Sequence, residues 1–327
     1  MKKIIKIGVL GCSNISQKAL LPAICNHPNF QLAGVASRSN DKALKFSKLF
    51  KTLPYSYDEL INDDDIDAIY VSLPVGLHYL WGKKVLQSGK HLLMEKTFTV
   101  SLKEAEELVS LALQNNIVAM EALMYTYHSL YQKVRESVLE GTIGKIRSIE
   151  SSFGFPSLPQ DNIRSQKTIG GGAILDNLIY PLSLCLNLAN EKLVDYNYKI
   201  YKDDNSEVDT RGSLQLHFTS FSAHLTYGFG YMYRNDYIIW GSDGYLKVNR
   251  GFSRPINLDA EILVVKQNNE KIIKVKQDNH FYNMIDAFYQ KVIGQDIIYM
   301  NEKENILQRM EIISELYQSL DVNLEKF

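Results

Sequence analysis

Short apolar runs alternate with helix-like stretches through the first 124 residues, and this rhythm constrains the fold more than any other feature of the chain. Runs at 4–10, 31–37, 68–73 and 91–95 have strand length and are rich in aliphatic side chains. Stretches at 15–25, 41–50, 78–87 and 102–114 space their apolar residues as a helix does. Strands separated by helices of that length form βαβ units, whose strands run parallel and are buried on both faces. The chain is therefore expected to open with a doubly wound parallel sheet of the α/β class.

Beyond residue 125 the rhythm breaks. A helix over 127–139 leads to a strand over 145–155, a loop holding Pro156 and Pro159, and a helix start at Gly170, Gly171 and Gly172. From 194 to 275 strand-like runs follow one another, and Gly241-Ser242-Asp243-Gly244 reads as a hairpin connection. Helical segments over 280–292 and 302–320 close the chain. A length of 327 residues suits two domains better than one. The expectation is a first domain over 1–124 and an α+β domain over 125–327, built on a large, mostly antiparallel sheet, with the closing helix packed back on the first domain. An uncovered sheet face predicts a homo-oligomer, a homodimer or homotetramer, joined through it.

Acidic and basic residues nearly cancel, leaving a formal charge of -1. Neither nucleic acid nor an anionic membrane is expected as a partner. The three cysteines, Cys12, Cys25 and Cys185, form no CxxC pair and no disulfide framework, which suits a reducing, cytoplasmic setting. Lys6 cuts the N-terminal apolar run short of the roughly 7–15 residues of a secretion signal. No stretch is expected to span a membrane. The seven histidines show no metal-ligand spacing, so no metal is expected.

The turn after the first run reads Gly11-Cys12-Ser13-Asn14-Ile15-Ser16 and opens the first helix. A dinucleotide-binding turn carries G-x-G-x-x-G here, for the tight turn, for approach of the pyrophosphate and for helix–strand packing. Only Gly11 is kept, and serines small enough to preserve much of the clearance take the other two places. In this position the turn predicts a Rossmann domain whose backbone N–H groups from Gly11 to Ile15 hold phosphates. The second run ends in Ser37, Arg38 and Ser39, where an NAD-binding fold usually places a carboxylate for the ribose. A guanidinium grips a phosphate through several donors. NADP(H) is thus the expected cofactor, with NAD(H) second.

Segments along almost the whole chain carry a family resemblance. They include Ile7-Gly8-Val9-Leu10-Gly11-Cys12, Val35-Ala36-Ser37-Arg38, Tyr70-Val71-Ser72-Leu73-Pro74 with His78, and Gly89-Lys90-His91 through Glu95-Lys96. Further on come Met120-Glu121-Ala122-Leu123-Met124-Tyr125, Gly144-Lys145-Ile146-Arg147, and Gly170-Gly171-Gly172-Ala173-Ile174-Leu175-Asp176 with Tyr180 and Pro181. The chain resembles the glucose–fructose oxidoreductase / inositol dehydrogenase / MocA family of NAD(P)-dependent sugar oxidoreductases. Phe155-Pro156, the stretch from Pro159 through Gln160 to Arg164, and the hairpin from Gly241 to Arg250 look most like its sugar 3-ketoreductases of deoxysugar biosynthesis. The branch of dihydrodiol and xylose dehydrogenases is also close. The resemblance implies cofactor contacts from Leu73, Pro74, His78, Glu95, Lys96 and Arg164, and a substrate that is a sugar or nucleotide sugar. The chain departs from the family pattern at Val75, at Asn177-Leu178, and at Thr97, where relatives carry proline. Losing that proline releases a fixed φ and predicts a looser lysine loop.

Lys96 follows the fourth run, at the carboxyl edge of the parallel sheet where ligands bind in such folds. Asp176 and Tyr180 stand four apart on an expected helix, and Pro181 should distort it beside Tyr180. Ketone reduction needs a hydride donor and a proton donor. A phenol titrates near ~10, and a neighbouring ammonium lowers that value. Tyr180 is therefore expected as general acid, Lys96 as its electrostatic partner, and Asp176 as an orienting group. The plain alternatives are a packed tyrosine and a first-turn aspartate favoured by the helix dipole. Tyr227, Tyr231, Tyr233 and Tyr237 cluster in the second domain, where sheet packing is the default and stacking on a ligand the alternative. Three functions compete: an NADPH-dependent reductase of a sugar ketone, most simply at carbon 3; an NADP-dependent dehydrogenase of free aldoses or trans-dihydrodiols; and a non-catalytic NADP-binding sensor.

Overall fold

The computed structural model describes residues 3–159, 161–267, 269–294 and 299–323; Gln160 lies outside them. The chain divides into two compact units, Met1–Met124 with Phe281–Met310, and Tyr125–His280 with Glu311–Phe327.

In the first unit six parallel strands, β1 (Ile5–Leu10), β2 (Phe30–Ala36), β3 (Leu53–Tyr55), β4 (Ala68–Val71), β5 (His91–Glu95) and β6 (Ala119–Ala122), take the order β3-β2-β1-β4-β5-β6. Helices α1 (Leu21–Asn26), α2 (Asn40–Phe50), α3 (Tyr57–Asn62), α4 (His78–Gln87) and α5 (Leu102–Gln114) connect them. The order reverses between β1 and β4, the switch point beyond whose carboxyl ends ligands bind. Every residue of β4 is fully buried, which is why it reads as an unbroken apolar run. Two strands escape a sequence reading. β3 is a three-residue edge strand containing Pro54, and β6 reads Ala-Met-Glu-Ala, with no β-branched residue and a charge. Serines start the helices: Ser39 accepts from Lys42 N, Ser101 from Glu104 N, and Ser56 forms a reciprocal capping box with Glu59.

The second unit holds an eight-stranded sheet of β7 (Ile146–Phe155), β8 (Leu193–Tyr201), β9 (Arg211–Phe218), β10 (Ser222–Phe229), β11 (Arg234–Gly241), β12 (Tyr245–Asn249), β13 (Ala260–Lys266) and β14 (Asn269–Val275). They lie in the order β14-β13-β12-β11-β7-β10-β9-β8, antiparallel except for the central β7–β10 pair. Helix α6 (Ser129–Leu139) packs on β13, and α7 (Ile179–Leu188) lies across β7 and β10. The helical run over 167–188 is long and apolar enough to cross a membrane by length and composition, contrary to the sequence expectation, but 83% of its most apolar part is buried inside the protein, as in a core helix. On the outward face one cross-strand row runs His224, Glu150, Ile238, Lys247, Leu263, Ile272. The next contains Trp240, Tyr245 and Val265. The β11–β14 half of this face thus sets apolar side chains around Lys247 and Glu270, and Trp240 is 61% and Ile272 54% exposed.

The chain then returns to the first unit. In α8 (His280–Val292) Phe288 stacks on Phe30 with ring centroids 6.3 Å apart, and the Tyr289 hydroxyl donates to the Lys3 carbonyl at 3.0 Å. These contacts place 281–310 with the parallel sheet, where the sequence reading ran the second domain unbroken to the C-terminus. In α9 (Tyr299–Asn323), Arg309 donates to Glu121 of β6 at 2.6 Å, with both side chains almost fully buried. Burying an ion pair is costly, but removing one partner is worse, because the other charge is left uncompensated. Arg309→Met is therefore expected to lower unfolding stability in denaturant by about 3–5 kcal/mol, and adding Glu121→Gln should recover part of that loss. A loss within experimental error would show that the pair does not hold this unit together.

Candidate active site

The turn after β1 is built for close approach. Gly11 has φ +111°, and a Cβ there would collide with the Ser72 carbonyl oxygen. Its neighbours tighten the turn through hydroxyls. Ser13 Oγ accepts from Ser16 N at 3.0 Å and bonds Ser72 Oγ at 2.7 Å, while Ser16 Oγ donates to the Ser13 carbonyl at 2.8 Å. The serines that replace two glycines therefore pin β1's turn to the segment after β4, a role beyond mere smallness. Asn14 and Ile15 are exposed at the helix start. The Cys12 thiol is turned into the core, where burial raises its pKa to about 11, so only its backbone is left for a ligand.

At the tip of β2 the Ser37 hydroxyl accepts from Ser39 N at 3.3 Å, and Ser39 Oγ caps α2. The two hydroxyls fold the tip, and Arg38 between them is exposed. Leu73 and Pro74, half-buried, follow β4 across the switch point. A side-chain-free cradle at Gly11, exposed backbone at a helix start and a cation at the β2 tip fit a dinucleotide bearing a 2′-phosphate.

Lys96 sits just past β5, in a turn held from three directions. The Tyr70 hydroxyl donates to Glu95 Oε1, and Lys96 N donates to Glu95 Oε2 at 3.3 Å. Burial pushes the Glu95 carboxyl above its usual range, while the Tyr70 hydrogen bond and the Lys96 charge oppose that rise. His78 Nδ1 faces the Thr97 carbonyl at 2.9 Å and Nε2 faces the Leu73 carbonyl at 2.8 Å. Phe98 N donates to Glu121 Oε1 at 2.8 Å, the carboxylate that Arg309 also holds. Thr97 and Phe98 are fully buried, and the Lys96–Thr97 peptide is cis. The absence of proline thus leaves no slack loop. His78, expected on the cofactor side, is fully buried with each ring nitrogen against a protein carbonyl. It acts as a strut between the turns after β4 and β5. Sequence reasoning missed Tyr70, Glu121 and Arg309; a lone carboxylate inside a strand of small apolar residues was the available signal for Glu121.

In the second unit the expected helix begins as a π-helical turn, Ile174–Leu178, and continues as α7. Pro181 has no N–H for the Asn177 carbonyl four residues back, so the ladder widens just before it. Asp176 lies in the widened turn and pairs with Arg164, Nε to Oδ2 at 2.8 Å. Arg164, expected at the cofactor, also pairs with Asp176. Tyr180 is 6% exposed, its ring 4.6 Å from Phe153 and 5.8 Å from Phe252 between centroids. Of the other tyrosines, Tyr227 and Tyr237 are fully buried in the sheet, whereas Tyr231 and Tyr233 are exposed.

A parallel sheet with a phosphate-binding turn at its switch point and a lysine at its carboxyl edge defines an NAD(P)-dependent oxidoreductase acting on CH–OH groups. A family model described as "Oxidoreductase family, NAD-binding Rossmann fold" matches residues 5–123, and one for the "GFO/IDH/MocA C-terminal domain" matches 131–247. The chain belongs to the Gfo/Idh/MocA family. It is 31% identical over 98% of its length, and 98% of the relative's, to a dTDP-3,4-didehydro-2,6-dideoxy-α-D-glucose 3-reductase from Saccharopolyspora spinosa. It is 27% identical, over 96% of its length and 97% of the relative's, to a D-xylose 1-dehydrogenase (NADP⁺) from Haloferax volcanii. A 3-ketoreductase from Actinomadura kijaniata, solved with NADP and TDP-benzene, superposes with a TM-score of 0.89 at 32% identity, covering 95% of this chain and 96% of that one.

Arg38→Asp replaces the exposed cation with a like charge for the 2′-phosphate. NADPH binding is expected to weaken far more than NADH binding in direct titration. Equal affinity of the unaltered protein for both cofactors would remove the basis for assigning Arg38 to the phosphate.

Proposed function

We propose that this chain is a cytoplasmic, NADPH-dependent reductase of a nucleotide-linked sugar ketone at carbon 3. The observation that carries the reading is Lys96, held at the carboxyl edge of a dinucleotide-binding sheet by buried contacts from Tyr70, His78 and Glu121. Full-length similarity to a dTDP-sugar 3-reductase supports the substrate class. So does the binding of NADP and TDP-benzene by the Actinomadura kijaniata 3-ketoreductase, which has also been solved with a lysine or a tyrosine replaced.

A nicotinamide dinucleotide held at the Gly11 turn and by Arg38 would supply the hydride. Tyr180 gives a proton to the oxygen that becomes an alkoxide, and the Lys96 ammonium stabilises negative charge on that oxygen. The aromatic packing of Tyr180 limits its ring to one orientation and excludes water around it. Asp176, fixed by Arg164, accepts a sugar hydroxyl and sets the substrate's orientation. The outward half-face around Trp240 and Ile272 receives a second copy of the chain. Glu150 and Lys247 on the same cross-strand row give two antiparallel copies opposite charges to pair.

Tyr180→Phe keeps the ring and removes the proton donor, so turnover with NADPH and a dTDP-3-ketosugar should fall by roughly 10²–10⁴-fold while NADPH affinity stays near that of the unaltered protein. Lys96→Ala should cost at least as much. Parental rates in both variants would refute the assignment, and turnover of D-xylose with NADP⁺ but not of the ketosugar would favour the dehydrogenase. Light scattering should report a dimer or tetramer that Trp240→Glu dissociates; a monomer at micromolar concentration contradicts the oligomer.

A further inference from the structure

A buried carboxylate that the mechanism does not use stands at the start of the helix carrying Asp176 and Tyr180. Asp209, in the loop between β8 and β9, is fully buried. Its Oδ2 accepts from Ile174 N at 2.8 Å, and its carbonyl oxygen accepts from Ala173 N at 3.1 Å. The helix has no cap of its own, because Ala173 at the N-cap position offers no side-chain acceptor. One residue 35 positions away in sequence therefore satisfies two leading N–H groups. Gly172 makes room for it: φ is +116°, and a Cβ would collide with Asp209 Oδ1. The last glycine of the Gly170–Gly172 run is thus explained by the carboxylate lying against it.

The far end of the same turn is also fixed. Asn177 Nδ2 donates to the carbonyls of Phe153 at 3.4 Å and Gly228 at 3.2 Å, tying the turn to β7 and β10. Asp209 Oδ1 and the Tyr227 hydroxyl are both buried without a hydrogen-bond partner among the described residues. Burial, and after it the charge of Asp209, holds the Tyr227 hydroxyl of β10 well above its ordinary range, whereas Asp209 itself is shifted by burial and by backbone N–H groups.

We propose that Asp209 is a positioning residue: its carboxylate fixes where the helix begins, and through it the placement of Asp176 and Tyr180. The catalytic consequence rests on the function proposed above; the structural one does not. Burial raises the Asp209 pKa to about 7, opposed by the hydrogen bonds from Ile174 and Ala173. Because the folded value is raised, the group's contribution to stability is complete below the ordinary carboxylate range and is lost as pH rises through about 7. The ionised form is meanwhile the stronger acceptor and complements the helix N-terminus. Raising the pH thus firms the helix start while lowering global stability.

The test compares Asp209→Asn, which keeps an acceptor and the shape, with the unaltered protein by hydrogen exchange of the 173–180 segment and by kcat and KM across about pH 5 to 9. In the unaltered protein, protection of that segment should rise through about pH 7, and in Asp209→Asn it should be lower and flat with pH. With substrate, kcat should fall roughly 10- to 100-fold with NADPH affinity unchanged, and the inflection near neutrality should vanish. Gly172→Ala, which displaces the carboxylate, should reproduce the loss of protection. Unchanged protection in Asp209→Asn, or a fall in kcat that leaves protection and its pH dependence intact, overturns the proposal. If the unaltered protein reduces no ketosugar, the proposed function fails while the exchange measurement still decides the role of Asp209.

Discussion

Lys96 depends on a buried hydrogen-bond frame rather than on the stiffness of its own turn. Relatives are expected to place proline after this lysine; here the next residue is Thr97, whose φ no ring fixes. The turn is secured by His78 on the Thr97 carbonyl, by Glu121 on Phe98 N, and by Tyr70 on the preceding glutamate. Each contact comes from a different element: α4, β6 and β4. The frame also reaches past the sheet, because Arg309 neutralises Glu121 from α9. A returning C-terminal helix thereby becomes part of the support for a residue more than 200 positions earlier in the chain.

The same device recurs in the other unit. There a buried carboxylate, Asp209, accepts Ile174 N at 2.8 Å, as Glu121 accepts Phe98 N at 2.8 Å. In both places a backbone N–H next to a residue of the proposed site is held by an acid from a distant strand or loop. A buried carboxylate is costly to desolvate, and its hydrogen bonds to N–H groups offset part of that cost. Such contacts fix position, which matters where charge must develop against a prearranged environment.

The fold was largely legible because its strongest signals are local. Alternation gave the parallel sheet, since β4 is buried on both faces throughout and β1 and β5 over most of their length, which makes these strands largely apolar. β3 and β6 were not legible: one is too short, and the other holds a glutamate whose burial Arg309 and Phe98 N offset from far along the chain. The Gly11 turn was readable from a single glycine and its position, but the serine hydrogen bonds to Ser72 required the fold. Lys96, Asp176 and Tyr180 were singled out mainly through resemblance. The framing residues Tyr70, Glu121, Arg309 and Asp209 were missed, because their meaning lies in contacts spanning 25 to 188 positions of sequence. His78 and Arg164 were assigned to the cofactor through the resemblance; the fold adds that the first braces two turns and the second pairs with Asp176.

The central claim is that hydride passes from NADPH to carbon 3 of a nucleotide-linked ketosugar. It is tested most directly by incubating the enzyme with NADPH deuterated at the transferable position and a dTDP-3-ketosugar, then locating the label in the product by NMR. The account predicts one deuterium on carbon 3 of the sugar, on a single face of the ring. An unlabelled product, a label on another carbon, or no product with this substrate would contradict it.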